Sequence, residues 1–326
     1  MTVNSLNTTA NETQPANCIN LSSLTLRNLG MTIAYGLLLV TSFSGNFLIV
    51  RVIYKIKTMR TTINFFIVNM AMSDLLIPVF VFPLLLTEIY VSGFGPPGRT
   101  ICLVLFQLQY ISSWVSIQSL ILIALDRFVA VVFPLHSPII SSKLCLFVIL
   151  TTWIVATASS FPMLVFYNSM EFSEKLTCGR IWFKKYFREK YYSHVMPLNV
   201  IFKTIPFVVL TILYSVIVFK LKIHTIPGER SINAEEKRLQ RNRKVLKMAI
   251  AILLGFAICW MPLSIIGFLG VSLGDSEVCI IPLFALVAIF LNFANCAVNP
   301  CICFTFCRNF RQALKALLHQ NAPWQV

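Results

Sequence analysis

Long apolar runs dominate the chain. Seven are long enough to cross a bilayer: Asn28–Val50, Thr61–Thr87, Ile101–Leu125, Leu144–Met170, Tyr191–Phe219, Met248–Gly274 and Val278–Cys307. Each exceeds the ~20 apolar residues that a spanning helix requires. Five carry no charged side chain; the second is interrupted only by Asp74 and the fifth only by Lys203. The third run extends to Pro134 and meets charge only at Asp126 and Arg127. As one helix it would measure roughly 50 Å, against a hydrocarbon core of about 30 Å. It carries Cys102 near one end and polar Gln109, Ser113, Ser116 and Gln118 between, which a plain lipid anchor does not need. It reads as the central post of a bundle.

After the seventh run the pattern changes. Phe306, Phe310, Leu314 and Leu317 share one helical face, with Arg308, Arg311 and Lys315 beside or opposite them. Such a face predicts an amphipathic helix in the membrane interface. The expected fold is therefore an all-α membrane protein, a seven-transmembrane helix bundle with a short eighth helix. Its segments are a tail over 1–29, the bundle over 30–303, the surface helix over 304–318 and a short tail over 319–326. No connecting segment is large enough for a separate domain, and the absence of an internal repeat weakens a transporter built from inverted halves.

Composition agrees: 57% of the 326 residues are hydrophobic and 12% charged, where soluble domains carry about 25% charged residues. The net charge of +15 is topological bias rather than nucleic-acid affinity. With the N-terminus outside, 18 of the 27 Lys and Arg residues fall in inner segments, as the positive-inside rule requires. The basic stretch from Lys237 to Lys247 reads by its charge alone as a surface facing anionic lipid. The first 29 residues are polar, contain no apolar signal-peptide core, and hold three glycosylation acceptors at Asn7, Asn11 and Asn20. Both signals put that tail outside. Of ten cysteines, Cys18, Cys102, Cys178 and Cys279 fall in outer segments, which allows three connectivities. Cys102 at the head of the third span and Cys178 in the long loop after the fourth suggest one pair. Cys18 and Cys279 are then left to each other, or free.

Ionisable groups inside a membrane are costly and mark function by default. Asp74 sits deep in the second span, with Ser116 on the third and Asn295 and Asn299 four apart on the seventh. These residues suit either an oxygen cage for Na⁺ or a polar network that only satisfies Asp74. Lys203 lies three residues before Pro206, whose ring frees the carbonyl of Phe202. Its ammonium has that local acceptor or, alternatively, an acidic ligand group. Trp260 and Pro262 make the sixth span kinkable, and Pro206, Pro262 and Pro300 are expected to break three spans in succession. Enzyme chemistry finds no support: the four histidines are scattered, and no Ser/His/acid cluster, phosphate loop, metal-ligand spacing or cofactor motif stands out.

Taken in order, these residues resemble the rhodopsin-like class of G-protein-coupled receptors. The likeness runs from Gly30 to Leu318. It rests on Gly45-Asn46, Asp74, Asp126-Arg127-Phe128, Trp153, Pro206, Tyr214, Cys259-Trp260-Met261-Pro262 and Asn299-Pro300. Cys102 and Cys178 match that family's bridging pair. The resemblance implies an outer ligand cavity, a hinge at Trp260, and an inner cleft for a heterotrimeric G protein at the plasma membrane. Pro206, Ile117 and Phe256 match the transmission core. Arg127 matches the residue that exchanges Asp126 for the G protein, with Tyr214, Asn299 and Pro300 completing the switch.

Gln109 stands where amine receptors have Asp, and Phe293 where opsins have Lys. Gln109, and the run from Arg243 into Cys259-Trp260-Met261-Pro262-Leu263, resemble receptors for short amidated neuropeptides more, and the likeness implies a peptide contacting Glu88, Gln109, Tyr110, Ser113, Lys203 and Trp260. A lipid or small-acid ligand, or none, is the alternative, and a seven-span channel or transporter the competing class. Departures from the pattern carry expectations of their own. Cys303 replaces a usual Tyr, so Tyr214 should lose its hydroxyl partner, and Asn242 replaces a Glu that pairs with Arg127 in some members. The resting state should then rest on Asp126–Arg127 and packing, with measurable basal activity. The first outer loop has Ser92-Gly-Phe-Gly in place of a frequent Trp, and the tail lacks Ser and Thr after Thr305, which argues against tail-directed phosphorylation and arrestin capture.

Overall fold

The computed structural model describes residues 24–90, 98–133, 142–168, 196–223, 246–247, 250–266 and 280–318. Among them every regular element is helical. The first helix is Leu24–Lys55, the third Gly98–Val132, the fourth Ser142–Asn168 and the seventh Ile280–Phe306. The sixth is described over Ile250–Ile266. Arg308–Leu318 follows the seventh as the expected amphipathic eighth helix. Among the described residues, six helices are long and apolar enough to cross a membrane, and Ile250–Ile266 is a shorter apolar one.

The first helix runs longer at both ends than its apolar run, starting at Leu24 and continuing through Arg51 to Lys55. A 3₁₀ turn at Lys57–Met59 ends it, and Thr61 caps the second helix by accepting the Asn64 backbone N–H at 3.4 Å. Asn64 in turn donates its side-chain amide to the Met59 carbonyl at 2.7 Å. The turn is thus held by its own residues, a side-chain cap standing in for missing intrahelical bonds.

Proline breaks the spans at fewer places than expected. The helices continue through Pro262 and Pro300. The departures are two π-helical turns, Ile77–Val81 and Val200–Thr204. The first joins Thr62–Asp74 to Phe82–Tyr90 and contains Pro78, which lacks the N–H for a normal helical bond. The second joins Met196–Asn199 to Ile205–Ile223 within the fifth helix, so Pro206 stands at the start of a fresh α-helical stretch, where a missing N–H is tolerated.

Apolar side chains cover the outside of the bundle, and a set of polar ones is buried within its apolar core. Leu37, Val40, Phe43 and Phe47 of the first helix and Leu146, Phe147, Leu150 and Ile154 of the fourth are exposed. Ser42, Asn46, Asn69, Ser73, Asp74, Ser112, Ser113, Ser116, Ser119, Asn292, Asn295 and Asn299 are buried. Lipid solvates large apolar side chains as well as the core does, so packing is driven by close contact and interhelical hydrogen bonds. Asn46 shows the pattern, donating to the carbonyls of Ser42 on its own helix and Cys296 on the seventh, at 2.9 and 2.8 Å. Beside it Gly45 lets the first helix approach Pro300, and on the sixth helix Gly255 does the same against Val298.

Candidate functional site

The third helix positions three groups of side chains along its length. At its N-terminal end Cys102 is buried and disulfide-bonded, with its partner outside the described residues. Two turns on, Gln109 donates its amide to Asn292 Oδ1 on the seventh helix at 2.8 Å, and Ser113 donates back to the Gln109 carbonyl at 3.1 Å. Gln109 Oε1 and Asn292 Nδ2 are buried with no partner. The residue expected to meet ligand therefore also ties two helices together and leaves a free acceptor beside a free donor.

An aromatic group lies next to this pair. Tyr110 and Trp114, one turn apart, have ring centroids 5.6 Å apart, and Phe202 of the fifth helix stacks on Trp114 at 4.8 Å. Lys203 places its ammonium 3.5 Å from the Trp260 ring centroid and 4.9 Å from that of Tyr110. No hydrogen bond joins it to the Phe202 carbonyl, so the local acceptor expected from Pro206 is not used. Trp260 stacks on Phe256 at 5.8 Å. Phe256 and Ile117 belong to one buried cluster with Trp260, and Pro206 is half-buried on the adjoining helix. A continuous contact thus runs from Tyr110 through Lys203 and Trp260 to Phe256.

Below this floor lies Asp74. Its Oδ1 accepts from Ser116 at 2.9 Å and Ser112 at 3.4 Å, and its Oδ2 accepts from Asn299 at 2.7 Å. Ser73 shares a 3.2 Å hydrogen bond with Ser116. Asn295, grouped with these residues from its spacing, does not bond Asp74, and its Oδ1 is buried without a partner. A buried carboxylate without hydrogen bonds would cost far more than one so satisfied.

Near the C-terminal end of the third helix Arg127 is held by its neighbour, with Nη2 2.5 Å and Nε 3.1 Å from Asp126 Oδ2. Both side chains are half-buried. The Tyr214 hydroxyl is buried without a partner, as the replacement at Cys303 predicts, and Cys303 itself is fully buried. The eighth helix is tied back by Arg311, which donates to the Thr305 carbonyl.

Several residues that hold this arrangement escaped the sequence reading. Ser112 lies one turn before Ser116, and Asn292 is in register with Asn295 and Asn299, so helical spacing marked both. Asn69 had no such signal. It donates to Ser119 at 3.0 Å and Thr152 at 3.1 Å and accepts from the Trp153 indole at 2.8 Å, which joins the second, third and fourth helices. Glu88 falls in Phe82–Tyr90, but its side chain lies outside the described residues. So do Asn7, Asn11, Asn20, Cys18, Cys178, Cys279, Asn242, the Ser92–Gly95 stretch, the part of the basic segment over 237–245 and the tail over 319–326. No group of three or more His, Cys, Asp or Glu suited to a metal occurs among the described residues.

Residues 45–302 match the model of the 7 transmembrane receptor (rhodopsin family). Similar proteins include the RYamide receptor of Drosophila melanogaster, 27% identical over 286 residues, 85% of this chain and 60% of that protein. The QRFP-like peptide receptor of Branchiostoma floridae is 29% identical over 304 residues, 90% of this chain and 79% of that protein. The neuropeptide FF receptor 2 of Mus musculus is 30% identical over 302 residues, 86% of this chain and 70% of that protein.

Proposed function

The chain belongs to the rhodopsin family of seven-transmembrane receptors, a multi-pass membrane family of receptors and not enzymes, and from that premise we propose that it is a plasma-membrane receptor for a short extracellular neuropeptide. The peptide enters from the side of the N-terminal tail and is read by Gln109, Tyr110, Ser113, Lys203 and Trp260, with Glu88 at the rim. The Cys102 bridge, made to Cys178, fixes the loop that covers it, while Cys18 and Cys279 tie the tail to the last outer loop.

The observation that supports this reading is the run of contacts from Lys203 over Trp260 to Phe256, ahead of an Arg127 held only by Asp126 among the described residues. A ligand that binds the open form more tightly shifts the population toward it. The sixth helix then moves outward about Trp260, and Arg127 leaves Asp126 for a heterotrimeric G protein. The names of the relatives, among them receptors for RYamide, QRFP-like peptide and neuropeptide FF, support a peptide over a lipid.

Na⁺ belongs at Asp74 in this reading. The donor set is all oxygen, from Asp74, Ser112 and Ser116, and the free Asn295 Oδ1 adds a ligand one turn from Asn299. A cation there would supply positive charge among the oxygens of the second, third and seventh helices.

A peptide library applied to cells expressing the chain, read by several Gα reporters and by ion flux, tests the reading. Peptide-driven G-protein activation without flux is expected. A response confined to lipids or small acids overturns the peptide, and ligand-driven flux without G-protein activation overturns the coupling.

A further inference from the structure

Among the described residues, Lys203 is a cation taken out of water without an anion. Its side chain is 8% exposed, and what its ammonium meets is the faces of Trp260 and Tyr110. Ring quadrupoles attract a cation but return only part of the hydration it lost. The described carboxylates are committed elsewhere: Asp74 to Ser112, Ser116 and Asn299, and Asp126 to Arg127. Independently, the backbone is adjusted at this residue. Lys203 lies inside the π-helical turn Val200–Thr204, a geometry that recurs where a helix re-aims a functional side chain. Ile201 and Ile205 on either side are half exposed, while Lys203 turns inward.

We propose that Lys203, with Tyr110 and Trp260, forms a subsite for an acidic group of the ligand: a carboxylate presented between the third, fifth and sixth helices. This rests on the peptide-receptor reading and names the chemistry that the peptide must bring. A carboxylate gives the ammonium the counter-charge that the described residues lack, and in taking it draws the cation off the indole face. The indole is also stacked on Phe256, so the same event loosens the residue at the head of the sixth-helix contact. An acidic group is thereby worth more in the open form than in the closed one, as an agonist contact must be.

Two peptide pools that differ only in their carboxylates test the subsite. In the second pool Asp, Glu and the free C-terminus become Asn, Gln and a C-terminal amide. Wild-type receptor should answer the acidic pool at concentrations at least about tenfold lower, and Lys203→Met should erase that preference at unchanged surface expression. Equal potency of the two pools on wild type overturns the subsite and leaves the peptide reading standing. Activation by small carboxylic acids alone, lost in Lys203→Met, overturns the peptide reading and supports the subsite. If neither pool acts, thermal melts of the purified full-length Tyr110→Glu and Tyr110→Gln receptors decide. The Glu variant should melt higher, and the difference should vanish when Lys203→Met is added. A Gln variant as stable as the Glu variant overturns the proposal.

Discussion

Gly45 and Pro300 approach so closely that a Cβ on the glycine would stand 2.7 Å from the Cβ and 2.8 Å from the Cγ of the proline. Neither partner can yield by rotating, since one atom is fixed to a helix backbone and the other lies in a ring. Gly45→Ala must therefore push the first and seventh helices apart, at about 1–3 kcal/mol. Thermal melting of purified receptor checks this. Gly36→Ala, where nothing lies within 4 Å, should melt at or slightly above wild type.

Asp74 gathers hydrogen bonds from the third and seventh helices. If Na⁺ is held there, replacing choline by sodium should lower basal signalling in wild-type membranes. Asp74→Asn should remove that sodium dependence. A variant that keeps it places the ion elsewhere.

Asn69 satisfies three partners at once. Interhelical hydrogen bonds in membrane proteins average about 0.6 kcal/mol, so Asn69→Ala should cost about 2 kcal/mol. A double-mutant cycle with Trp153→Phe should return a positive coupling. Independent losses from the two changes would break the proposed hub.

The Tyr214 hydroxyl has no partner, and a buried unpaired hydroxyl opposes folding. Tyr214→Phe is expected to leave the ligand-free receptor as stable as wild type, or more so by up to about 1 kcal/mol. A clear drop in its melting temperature would show that the hydroxyl is bonded.

Arg127 is restrained by Asp126 alone among the described residues, in a half-buried pair. Asp126→Asn weakens that restraint by about 1 kcal/mol, a shift of roughly fivefold in the balance of closed and open forms. Ligand-free G-protein activation, normalised to surface expression, should rise accordingly. No rise would mean that packing alone holds the closed state.

By itself the sequence determined the spans, their order and the chemistry each one carries. Apolar runs longer than a bilayer is thick have one regular solution, and the charges at Asp74, Lys203, Asp126 and Arg127 stood out because the medium makes them costly. The vacancy at Tyr214 was legible too, since Cys303 offers no hydroxyl. Tertiary structure alone decided which partners meet. Hydrophobicity cannot sort a helix face when lipid and core are equally apolar, so Asn69, Trp114 and Phe202 gave no warning of their roles. Spacing placed Asn295 with Asp74, but the hydrogen bonds went to Ser112, Ser116 and Asn299. Proline pointed to breaks at Pro262 and Pro300, yet the helices continue through both. The backbone yielded at Ile77–Val81 and Val200–Thr204 instead, and the second of these turns holds Lys203 against Trp260, a contact between helices far apart in sequence that no local pattern encodes.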